Sequence, residues 1–143
     1  MSDSKLPESE IPKGKVLLVD DDELVRKALQ WTIRGLARSD KMELAVDSVE
    51  SVDLAIEKIQ GGLNPDVILS DMMMPEKTGK DFLDWLEKEH PELVRRFCFV
   101  SGGAKEEDLK ALLGYMGAMG RMIEKPFEID QVRDVIRSIL NLK

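Results

Sequence analysis

Cysteine is almost missing from this chain of 143 residues: Cys98 stands alone, so no internal disulfide can form. Its setting in Phe97-Cys98-Phe99-Val100 marks it as a small buried hydrophobe, and no base lies near it in sequence to make it a nucleophile. Positive charge is in short supply as well. Twenty-one Lys and Arg stand against 28 Asp and Glu, a formal charge of −7. That balance, without any basic stripe, excludes a nucleic-acid partner, because phosphate backbones need clustered Lys and Arg to displace their counterions. No apolar run is long enough to span a bilayer, and the first ten residues are too polar for a signal peptide. The expected setting is the cytoplasm, with no membrane partner. The one histidine, His90, precedes Pro91 at a predicted helix end and reads as a surface residue, neither phosphodonor nor ligand.

What the chain does contain is a repeated pattern. The apolar run Val16-Leu17-Leu18-Val19 closes on Asp20-Asp21-Asp22, and about fifty residues later Val67-Ile68-Leu69-Ser70 closes on Asp71. Around these runs, short β-type segments alternate with helical ones. Residues 1–14 carry Pro7, Pro12 and Gly14 among charges and serines and are expected to form a disordered tail, with a single domain over 15–143. Strands are predicted at 16–19, 42–46, 67–70, 97–100 and 122–123. Helices are predicted at 23–36, 52–59, 79–89, 106–116 and 130–140. In the first helix Leu24, Ala28, Trp31 and Leu36 recur at helical spacing, and Gly35 weakens its end. The last presents Val132, Val135, Ile136, Ile139 and Leu140 on one face.

Strands alternating with helices call for an α/β, doubly wound parallel sheet, since parallel neighbours need crossover connections. In such sheets the ligand site lies beyond the carboxyl ends of the strands. Asp20, Asp21, Asp71 and Ser101 each follow an apolar strand run, and Lys125 follows Met122-Ile123-Glu124, so all five are expected at one end. Clustered carboxylates repel unless a cation or a proton sits among them. Mg²⁺ takes hard oxygen ligands and commonly shares its shell between carboxylates and phosphate, which suits Asp21 and Asp71. A carboxylate can also attack phosphorus when cations neutralise the equatorial oxygens, and Lys125 offers one such cation. Ser101 can donate to a phosphoryl oxygen, with Gly102 and Gly103 leaving the approach open.

These residues resemble the receiver domains of two-component response regulators, both the single-domain chemotaxis type and receivers associated with hybrid histidine kinases. The resemblance spans 15–142. It rests on Asp20-Asp21, on Asp71 followed by Met74-Pro75 and Gly79, on Ser101, and on Lys125-Pro126-Phe127. It implies a flavodoxin-like five-stranded sheet in the order 2-1-3-4-5. It further implies that Asp71 accepts a phosphoryl group from a histidine kinase or a histidine phosphotransfer protein. Asp20, Asp21, Asp71 and the Met73 carbonyl would hold Mg²⁺, Lys125 would pair with the acyl phosphate, Ser101 would move toward it, and Lys125-Pro126 would be cis. On this reading the chain is a signalling protein and not an enzyme.

Two positions depart from the family pattern. Met122 stands where an aromatic switch residue is usual, and Thr78 stands where many members carry an acid before the glycine. Other readings of the acids also exist. Asp20 to Asp22 can form a solvated helix entry, and for Asp22 a capping role is preferred. Met74 reads as core filling. A haloacid-dehalogenase-type phosphohydrolase would take Asp20 as nucleophile and Asp22 as general acid, with Ser101 and Lys125 in support. It leaves Asp71 and Met74-Pro75 unexplained, and its final acids would have to be Asp130 and Asp134 on the closing helix. A third reading is an interaction module that is never phosphorylated.

Overall fold

The computed structural model describes residues 10–102 and 122–142. The elements run β1 (Lys13–Val19), α1 (Glu23–Ser39), β2 (Glu43–Val49), α2 (Val52–Gln60), β3 (Val67–Asp71), α3 (Gly79–Glu89), a 3-10 turn (Pro91–Arg96), β4 (Phe97–Ser101), β5 (Met122–Glu124) and α4 (Ile129–Ile139). All strand pairs are parallel, and the sheet order is β2-β1-β3-β4-β5, as the resemblance implied. The predicted helix at 106–116 lies outside the described residues.

The continuous apolar runs are explained by burial on both faces of the sheet. Along β1, Leu17 and Val19 join Ile68, Phe82, Leu86, Phe97 and Phe99 in the layer beneath α2 and α3. Their neighbours Val16 and Leu18 join Leu29, Ile33, Leu69, Cys98, Val100 and Ile136 beneath α1 and α4. The period of two in the strands thus divides one hydrophobic run between two cores. Each fully buried Leu, Ile or Phe contributes about 1.5–3 kcal/mol relative to exposure. Phe97 binds the first layer together, with its ring edge-on to Phe82 at 5.9 Å and to Phe99 at 4.8 Å. Cys98 is fully buried, as its neighbours indicated.

Helix entries are set by side-chain caps. Asp22 Oδ1 accepts the Leu24 amide at 2.9 Å, and Ser51 Oγ accepts that of Leu54 at 3.2 Å. Thr78 forms a reciprocal capping box with Asp81, so the departure from an acid at position 78 supplies the start of α3. At the far end of α1, the Asp40 carboxylate accepts from Arg133 Nε at 3.1–3.2 Å and from Arg137 Nη1 at 3.2 Å, tying α1 to α4.

Several expectations are corrected. The buried stripe of α1 is Leu29, Ile33, Leu36 and Ala37, whereas Leu24 is 76% and Trp31 77% exposed. Two apolar stripes share this helix, and periodicity cannot say which of them faces the sheet. The helix also runs through Gly35 to Ser39. Strand β1 starts at Lys13, inside the segment expected to be disordered, because Lys13 and Gly14 pair with Glu43 and Leu44. Strand β2 lies later than predicted, with Met42 buried just before it. His90 lies at the surface as expected, with one face of its ring against Trp85, the centroids 5.4 Å apart.

Candidate functional site

The carboxyl ends of β1 and β3 lie side by side, with Val19 in register with Ser70, so the residues that follow the two runs meet. Asp20, Asp21 and Asp71 each bring a carboxylate oxygen within 4.8 Å of the others. Asp20 is only 2% exposed and Asp71 8%, while Asp21 is exposed. Lys125, carried past β5, sets its ammonium 3.1 Å from Asp20 Oδ2 and 3.6 Å from Asp71 Oδ1. Its amide donates to the Ser101 carbonyl at 2.6 Å, which joins the ends of β4 and β5, and the Lys125-Pro126 bond is cis. Ser101 is buried at the tip of β4. The fold therefore gathers Asp20, Asp21, Asp71, Ser101 and Lys125 at one pole of the sheet.

Each position has a local cause. The Asp20 amide donates to the Val49 carbonyl at 3.1 Å, and Asp20 Oδ1 accepts the Asp22 amide at 2.8 Å. Asp22 is spent on capping α1, as preferred from sequence, and is not available as a general acid. Behind Asp71, Met72 and Met74 are buried and anchor the following loop, while Met73 is exposed and its amide reaches Asp71 Oδ1 at 3.4 Å. Gly79 is required there: its amide donates to the Met72 carbonyl at 3.0 Å, and a Cβ would overlap the Asp71 carbonyl and stand 3.0 Å from the Phe99 ring. Gly102 lies so close to Lys125 that a Cβ would stand 3.0 Å from the lysine stem. Met122 is half-buried against the α2/α3 core layer, filling with apolar bulk the position where an aromatic is usual.

The electrostatics are those of an incompletely compensated acid cluster. Burial pushes the Asp71 carboxyl above the ordinary carboxylate range, and the neighbouring Asp20 charge pushes it further. Lys125 and the amides of Met73 and Met72 act in the opposite direction. Three hard-oxygen ligands so close together fit Mg²⁺, whose octahedral shell places opposite ligands about 4 Å apart. Beside Asp71 stands one cation, the Lys125 ammonium, and Ser101 is buried at the end of the neighbouring strand. Arg26, which no motif singles out, also reaches the site: its Nη1 donates to the Asp20 carbonyl at 2.5 Å from within α1. No residue pattern announces a side chain that reaches back six positions to a main-chain oxygen.

Comparison with known proteins gives a consistent answer. Residues 16–137 match the family model described as the response regulator receiver domain. Among curated proteins, the sensor kinase CckA of Brucella abortus is 32% identical over 126 residues, covering 87% of this chain and 12% of the kinase. The response regulator Rre1 of Synechocystis is 26% identical over 125 residues, covering 87% of this chain and 51% of that protein. The chain thus spans about half or less of the length of these relatives. A putative response regulator from Chloroflexus aurantiacus superimposes with a TM-score of 0.74 at 24% identity, covering 91% of this chain and 98% of the other. The signal receiver domain of a histidine kinase from Syntrophus aciditrophicus gives 0.72 at 22% identity, covering 90% of each. At these identities the two structures speak for the fold, and the family match speaks for the rest: this chain belongs to the response regulator receiver domain family of two-component signal transduction.

Proposed function

We propose that this receiver takes a phosphoryl group on Asp71 from the phosphohistidine of a histidine kinase or a histidine phosphotransfer protein, with Mg²⁺ held by Asp20, Asp21, Asp71 and the Met73 carbonyl. The observation that carries this reading is the meeting of three carboxylates and the Lys125 ammonium at the end of β3. An Asp71 oxygen attacks phosphorus as the P–N bond to the donor imidazole breaks. The imidazole leaves with the bonding pair and takes up a proton, and an acyl phosphate remains. On this reading Lys125 balances charge on the phosphoryl oxygens, and the Ser101 hydroxyl donates to one of them. When bound, Mg²⁺ neutralises charge on the transferring group.

On this reading the protein is a stoichiometric acceptor acting in the cytoplasm through protein partners, and not an enzyme that turns over a substrate. Acetyl phosphate with Mg²⁺ should label the chain once, and Asp71→Asn should abolish the label. Labelling that survives in Asp71→Asn would overturn the assignment. Continuous hydrolysis of a generic phosphate monoester would favour the dehalogenase-type reading in its place.

A further inference from the structure

Four hydrogen bonds grip Asp20. Its amide is bonded to the end of β2, its Oδ1 to the Asp22 amide, its Oδ2 to Lys125, and its carbonyl to Arg26. The first three bonds fix where this residue sits. The fourth differs in kind, because the Asp20 carbonyl belongs to the peptide plane that joins Asp20 to Asp21. That plane is rigid, so its tilt is set only by ψ of Asp20 and φ of Asp21. Holding the carbonyl direction therefore restrains the relative directions of the two Cα–Cβ bonds, from which the adjacent carboxylates project. Asp21 is exposed, so packing has little hold on its direction.

We propose that Arg26 is a positioning residue for the cation site: its guanidinium locks the Asp20–Asp21 peptide plane so that both carboxylates converge with Asp71. This rests on the phosphoacceptor reading above. Arg26 is half-buried one turn inside α1, and its amide donates to the Asp22 carbonyl at 3.1 Å, so its base is anchored in the turn that its head restrains. The guanidinium spends Nη1 on a neutral carbonyl, leaving the carboxylate oxygens of Asp20 to other partners. It also brings a second cation, after Lys125, to an acid cluster of three. A lysine at this position keeps the charge and can still donate, but loses the rigid planar guanidinium and sits on a freely rotating stem.

The test is calorimetric titration of Mg²⁺ into the wild type, Arg26→Lys and Arg26→Met, alongside thermal melts of each metal-free protein. We expect Arg26→Met to weaken Mg²⁺ binding about tenfold, as loss of an outer-shell partner typically does, and Arg26→Lys to weaken it about three- to fivefold. Melting temperatures of the metal-free proteins should change far less than the affinities. A purely structural role would lower the melting temperature and leave the Mg²⁺ affinity of the folded protein untouched. Either folded variant binding Mg²⁺ within twofold of wild type overturns the assignment. If Arg26→Met does not fold, Arg26→Lys decides alone. A wild type that binds no Mg²⁺ overturns the phosphoacceptor reading itself, and the role of Arg26 with it.

Discussion

Lys125 and Asp20, 105 residues apart in sequence, form a nearly buried ion pair at 3.1 Å, and the same ammonium lies 3.6 Å from Asp71. Lys125 thus holds together the ends of three strands by charge. Removing it should leave Asp20 and Asp71 without their ammonium partner. Lys125→Met is expected to destabilise the metal-free protein by about 1–3 kcal/mol, less than a fully buried pair because the lysine is partly solvated. Urea melts with and without Mg²⁺ check this, and the cation should stabilise the variant more than it stabilises wild type.

Asp71→Asn should act in the opposite direction. The folded protein holds the Asp71 carboxyl above its ordinary range, chiefly through burial and then through the Asp20 charge. In the pH window above that ordinary value the folded state therefore binds more protons than the unfolded one. Stability is lost as pH rises through the raised folded value. Asparagine has no such loss, so the melting-temperature advantage of Asp71→Asn should grow from about pH 4 toward neutrality in metal-free buffer. Equal slopes for the two proteins would contradict it.

Gly79→Ala forces the backbone to move, because the new methyl meets the Asp71 carbonyl, which cannot rotate away as a side-chain end would. A cost of about 1–3 kcal/mol is expected from overpacking at this point. Acetyl-phosphate labelling should fall as well, since the displaced atoms belong to Asp71 and Met72. Denaturant melts and a labelling time course measure the two effects separately.

Trp31→Ala should be nearly silent for stability, within about 0.5 kcal/mol, although tryptophan is the largest side chain in α1. Fluorescence provides the check: the exposed Trp31 should account for the red-shifted part of the native emission, which the variant loses.

Asp40→Ala removes the acceptor of both Arg133 and Arg137 and should cost about 1–3 kcal/mol, since the hydrogen bonds are charge-assisted and partly shielded from water. Thermal unfolding at low and high salt measures it. Labelling of Asp71 should be unaffected, because the clip lies at the other end of α1.

The sheet and the site were legible in the sequence for the same reason. A strand buried on both faces reads as an uninterrupted apolar run, and the residue that ends it must emerge at the ligand pole, so Asp20, Asp71, Ser101 and Lys125 could be located without coordinates. The face of α1 could not be found in this way. Leu24-Ala28-Trp31 and Leu29-Ile33-Leu36 are both spaced for a helix, and only the approach to β1 selects the second. The start of β1 was misjudged because Lys13 and Gly14 carry no strand signature and gain their place from the ladder with β2. Arg26 was invisible because its partner is a main-chain oxygen, which has no letter in the sequence.

Strand β3 is buried at all five positions, with β1 and β4 bonded along its two edges. Entry to Asp71 from within the plane of the sheet is therefore closed, and the strand offers it at its carboxyl end. On the phosphoacceptor reading, the donor imidazole reaches Asp71 from beyond the end of the strand, on the side where Asp21 and Met73 stand exposed.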